Sequence, residues 1–107
     1  MNKMNKFNIE ITKPAENDLF GIGRYISREL LEPETAQKVV SKIAEGIISL
    51  EDMPLRNALV DDERLAYKGI RRIMVNNYII FYLVNEDSKI VTIIRILYGR
   101  RDWINLL

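Results

Sequence analysis

The 107-residue sequence predicts an α+β domain of order β-α-α-β-β-β. In it a helical hairpin packs on one face of a mainly antiparallel four-stranded sheet. Three observations lead there. Residues 7–12, FNIEIT, alternate apolar and polar side chains, the period of a strand with one buried face. Two apolar stripes of helical period follow, divided at Pro33. From Tyr67 the pattern turns to three β-like runs joined by short polar turns.

In the first strand Phe7, Ile9 and Ile11 share one face, and Asn8, Glu10 and Thr12 the other. The first helix opens at TKPAENDL: Thr12 or Lys13 caps it, Pro14 lies in the first turn, and Glu16 and Asp18 suit the positive end of the helix dipole. Ala15, Leu19, Ile22, Ile26 and Leu30 form its stripe, and Gly21 and Gly23 offer close packing. Pro33 starts the second helix, whose stripe is Ala36, Val40, Ile43, Ile47 and Leu50, widened by Val39 and Ile48 and ended at Pro54. The short connection makes the pair antiparallel.

Residues 55–66 read as an irregular acidic loop. A strand follows over 67–75 with a bulge at Gly69, then a two-residue hairpin at Asn76-Asn77. Residues 78–84, YIIFYLV, are apolar on both faces and read as a central strand, and 89–98 as the last strand. The helical hairpin needs a sheet face to bury its stripes, which leaves the opposite face open for function. On the last strand Val91, Ile93, Arg95 and Leu97 point one way, and Thr92, Ile94, Ile96 and Tyr98 the other; both sets are largely apolar, so the pattern leaves open which faces the helices.

Composition narrows the chemistry. With no cysteine, disulfides and thiolate chemistry are excluded; with no histidine, the commonest general base and metal ligand are missing. The acidic run VDDERL lacks the glycine of a calcium loop, and no phosphate-cradling glycine loop is present, so neither metal nor other cofactor is expected. No apolar run approaches a membrane span or a secretory signal, and the expected location is the cytoplasm, with no membrane partner. Residues 1–6, MNKMNK, read as a frayed arm, and 7–107 as one domain.

The net charge of +1 conceals an asymmetry. Residues 1–64 hold nine basic and twelve acidic side chains, and residues 65–107 seven basic and three acidic. A basic half suits an acidic protein or nucleic acid, and is equally the composition of a solvated surface. Its arginines are Arg71 and Arg72 on one strand, Arg95 on another, and Arg100 and Arg101 beyond the last strand. Across a meander Arg72 and Arg95 flank the central strand and can converge. Guanidinium forks suit phosphate, and Tyr67, Tyr78, Tyr82 and Tyr98 could stack on bases. Each has a plainer structural alternative: a buried ring, a salt bridge for Arg95, an exposed turn for Arg100 and Arg101. Asp102 serves as a helix cap or partner to Arg100, and Trp103, Leu106 and Leu107 as a tail docked on the core or a patch awaiting a partner.

In this order and spacing, ITKPAENDLFGIGRYI, the Pro33 break, GIRRIMVNNYIIFYLV and IIRILYGRRDWINLL resemble the RelE/ParE superfamily of toxins from bacterial type II toxin–antitoxin systems, over residues 7–107. The resemblance implies a β-α-α-β-β-β fold and a cognate antitoxin partner. It also implies one of two mechanisms. RelE-like members cleave mRNA on the ribosome without metal; ParE-like members inhibit DNA gyrase. Toward the nuclease pattern the candidates are Arg72, Arg100 and, as a substitute, Tyr98. Ile79 stands where those enzymes carry an arginine, and Leu106 or Leu107 where they carry a catalytic tyrosine. The ending YGRRD is closer to ParE-like sequences. The expected function is therefore a ParE-like toxin acting on gyrase, not itself an enzyme, with Arg71, Arg95, Arg101, Asp102 and Trp103 contacting target or antitoxin. The alternatives are a ribosome-dependent endoribonuclease and a non-toxic module that only binds the antitoxin.

Overall fold

A computed structural model describes residues 6–99 and 104–107. Strand β1 (Asn8–Ile11) leads into helix α1 (Lys13–Arg24), which widens into a π-helical turn over Tyr25–Glu29. Helix α2 (Pro33–Ser49) returns antiparallel to it. A 3-10 turn (Pro54–Arg56) and helix α3 (Glu63–Tyr67) precede strands β2 (Arg71–Val75), β3 (Tyr78–Asn85) and β4 (Ile90–Tyr98), and a last 3-10 turn spans Ile104–Leu106. The sheet order is β1-β4-β3-β2, with β1 parallel to β4 and the other pairs antiparallel. The expected α+β order holds, with one short helix added.

Thr12 joins β1 to α1. Its backbone N–H donates to Ile93 O, its side-chain oxygen accepts from Ala15 N at 3.2 Å as the helix cap, and its hydroxyl donates to Ile94 O at 3.1 Å. The stripe reading holds for Ala15, Ile26, Ala36, Ile43, Ile47 and Leu50, which are all buried. It fails at Leu30, which is 48% exposed, because the π turn (Leu30 N to Tyr25 O, 3.2 Å) rotates the chain off the helical period. The hairpin lies against Ile80, Tyr82, Val91, Ile93 and Ile96. Of the two glycines expected to pack closely, Gly23 does, an added Cβ standing 3.3 Å from Val40 Cγ2, and Gly21 does not, meeting nothing within 4 Å; the tightest approach is at Gly46, 2.6 Å from Val75 Cγ2.

Two expectations are corrected. The stretch 55–66 is not simply a loop. Asp62 caps α3 by accepting from Arg64 N and Leu65 N, and α3 ends at Gly69 (φ 85°) with Gly69 N bonded to Ala66 O and Ile70 N to Leu65 O. Gly69 is thus a helix stop, not a bulge, and the strand begins at Arg71. Nor is the far sheet face open. Val60, Leu65 and Ile70 cover Ile79, Phe81 and Leu97, joined by Leu106 and Leu107. A central strand apolar on both sides needs cover on both.

The bulge lies instead in β4. Phe81 pairs with Arg95 but Tyr82 with Ile93, leaving Ile94 as an extra residue. The insertion reverses the alternation beyond it. Ile96 joins Val91 and Ile93 on the helix side, and Arg95 and Leu97 turn to the far side.

Candidate functional site

Where β1 ends at Ile11, opposite Ile93, the edge of β4 continues uncovered. Asp18 of α1 meets it, accepting from Ile96 N at 2.9 Å. The same carboxylate accepts from Arg95 Nε at 2.7 Å and Nη2 at 2.8 Å, while Arg95 Nη1 donates to Leu106 O at 3.1 Å. Arg95 begins in the Arg72–Phe81–Arg95 row on the far face, so its side chain spans the strand edge to the helical layer. The Asp18 hydrogen bonds hold its pKa above the ordinary value. Sequence reading found the Arg95 row and missed Asp18.

The other arginines have different settings. Arg71 donates to Asn57 O at 2.6 Å and Leu55 O at 3.2 Å, fastening the segment after α2 beside the Tyr82 hydroxyl, which donates to Pro54 O at 2.6 Å. Arg72 lies on the far face, 3.8 Å from Asp61, whose carboxylate is fully in water. Arg100, Arg101, Asp102 and Trp103 lie outside the described residues.

Tyr98 is on the helix side. It shares a row with Val75 and Tyr78, its ring edge-on to Tyr78 at 5.7 Å and 68°. Arg72 and Tyr98, candidates for one nuclease centre, therefore occupy opposite faces. Of the remaining tyrosines, Tyr67 is exposed at the end of α3 and Tyr82 is wholly buried.

Beside Tyr98 opens a groove of about 1160 Å³ between the helical hairpin and the Asn76-Asn77 turn. Tyr25, Tyr78 and Tyr98 line it with Glu32 and the two asparagines. Asn76 holds φ 54°, the left-handed conformation expected of that turn. Burial raises the Tyr78 pKa, and the phenols of Tyr98 and Tyr25 raise it further. Sequence reading missed Tyr25, since its approach to Tyr98 depends on the β4 bulge. Among the described residues no cluster could hold a metal ion, and no helix is long and apolar enough to cross a membrane.

A helical hairpin on one face of a four-stranded mixed sheet, with β1 parallel to β4, defines a RelE/ParE superfamily toxin fold. The particular family follows from the sequence: residues 9–103 match the model of the ParE toxin of the type II toxin–antitoxin system parDE, and the chain belongs to that family. Similar solved structures agree on the fold. The chromosomal ParDE toxin–antitoxin system from P. aeruginosa aligns at 24% identity and TM-score 0.72, covering 88% of this chain and 97% of that one. The RelBE2 toxin–antitoxin complex from Mycobacterium tuberculosis aligns at 18% identity and TM-score 0.67, covering 92% and 97%. The archaeal RelE–RelB complex from Pyrococcus horikoshii aligns at 14% and 0.59, covering 90% and 98%. No individually curated protein matches the sequence.

Proposed function

We propose that this chain is a growth-inhibiting toxin that acts on DNA gyrase in the cytoplasm and is held inactive by a cognate antitoxin. Membership of the ParE family supports the toxin role, and the toxin–antitoxin complexes among its structural relatives support the partner. The observation that favours gyrase over mRNA is the separation of Arg72 and Tyr98 onto opposite sheet faces. A ribonuclease that promotes 2′-hydroxyl attack without metal needs its cation and its proton carrier on one phosphate. Of the candidate arginines among the described residues, Arg95 is bound to Asp18 and Arg71 to backbone carbonyls, while Arg72 has only the exposed Asp61 at 3.8 Å. On this reading the working contacts are Arg100 and Arg101, with Asp102 and Trp103 next in sequence.

Expression alone should arrest growth, and the product of the cognate antitoxin gene should restore it. The purified protein should inhibit gyrase supercoiling and leave mRNA on translating ribosomes uncut. Arg100→Ala with Arg101→Ala should abolish the arrest. Codon-specific cleavage by the wild-type protein would instead establish the nuclease, and absence of any arrest the non-toxic binding module.

A further inference from the structure

The tyrosine groove presents a surface of one electrostatic character. Tyr25 is 55% and Tyr98 37% exposed, and both line the groove with Tyr78. The face of an aromatic ring is electron-rich and attracts cations. Glu32 adds a carboxylate, oriented by a hydrogen bond from the Thr35 hydroxyl at 3.0 Å. The other carboxylate in the lining, Asp18, is already matched by Arg95. No lysine or arginine lies among the described residues that line the groove. Among these described lining residues an anion would meet no counter-charge.

We propose that this groove seats an arginine or lysine side chain of the antitoxin, held against Tyr25, Tyr78 and Tyr98 and facing Glu32. The assignment rests on the toxin–antitoxin reading above. The volume exceeds what one side chain fills, and Ile22, Ile26 and Leu30 supply apolar wall from the first helix and its π turn and Ile96 from β4. A segment with a basic residue flanked by apolar ones fits both features, and a small cation only the first.

The test uses the full chain and two short peptides, acetyl-Leu-Leu-Arg-Leu-Leu-amide and its citrulline counterpart, which keeps the shape and removes the charge. Tyrosine ring resonances are followed by NMR during titration. The arginine peptide should shift Tyr25, Tyr78 and Tyr98 and bind at least about five-fold more tightly than the citrulline peptide, the range of a cation over aromatic rings. Tyr98→Leu should weaken it several-fold. Gly21→Phe provides a second variant. It places a ring in the groove at a position where an added Cβ meets nothing within 4 Å, and should block the peptide while circular dichroism is unchanged and melting is not lowered.

Equal affinity for the two peptides overturns the proposal, as does binding that Gly21→Phe leaves intact. If the peptide binds only after Arg100→Ala and Arg101→Ala, the occupant is this chain's own arginine, and the antitoxin assignment falls. A negative result with growth arrest and antitoxin rescue intact removes the groove assignment alone. Absence of growth arrest removes the toxin reading and leaves the peptide result standing.

Discussion

Asp18 and Arg95, 77 positions apart in the chain, form a two-pronged ion pair across the edge of β4, and Asp18 also accepts the Ile96 backbone N–H. One carboxylate thus ties α1 to the strand just past its bulge. Through Arg95 Nη1 and Leu106 O it also ties the helical layer to the C-terminal turn.

Removing that carboxylate should be costly. Asp18→Ala leaves Arg95 without its anion and Ile96 N without an acceptor. With side chains only 13% and 22% exposed, the expected loss is about 2–4 kcal/mol. Asp18→Asn keeps an acceptor for Ile96 N and should lose about half as much. Urea unfolding measures both. A double-mutant cycle with Arg95→Met should give a coupling of about 1–3 kcal/mol.

Tyr82 gives a pH signature. Its hydroxyl is buried and donates to Pro54 O, and burial raises its pKa, with the Asn57 side chain and the Arg71 and Arg56 cations only partly offsetting it. For an acid with a raised folded pKa, the unfolded chain loses its proton first. The stabilisation is complete below the ordinary value of about 10 and is lost as pH rises through the folded value. Stability should therefore fall above about pH 10. Tyr82→Phe should lower stability at neutral pH by about 1–2 kcal/mol, because Pro54 O loses its donor, and should flatten the alkaline decline. The residual slope reflects Tyr78, whose pKa is also raised.

Two glycines should respond in opposite directions. Gly46→Ala drives a methyl to 2.6 Å from Val75 Cγ2, with Ile80 Cδ1 at 3.3 Å, and overpacks the α2–sheet contact. It should cost about 1–3 kcal/mol in spite of the better helix former. Gly21→Ala meets open space in α1 and should gain about 0.5–1 kcal/mol. Thermal melts of the two variants distinguish a packing glycine from one that merely weakens its helix.

The parts legible in the sequence are those with local periodicity. Ala15, Ile26, Ile43 and Ile47 repeat often enough within their helices to mark the buried face. Ile79 and Phe81 make the second face of β3 apolar, yet that face was read as open because its cover was not identifiable. Val60 and Leu65 stand among acids, and a five-residue helix is too short to show a period. The β4 bulge left no trace because both faces of that strand are apolar, and it decides that Tyr98 and Arg72 part. The Asp18–Arg95 pair is a contact of tertiary structure, with nothing local to announce it.

The central claim is that this chain halts growth through DNA gyrase. It is tested most directly by inducing the protein alone in a bacterium and pulse-labelling DNA and protein synthesis over the first minutes. DNA synthesis should fall first while translation continues. If protein synthesis stops first, the ribosome is the target and the gyrase reading is contradicted.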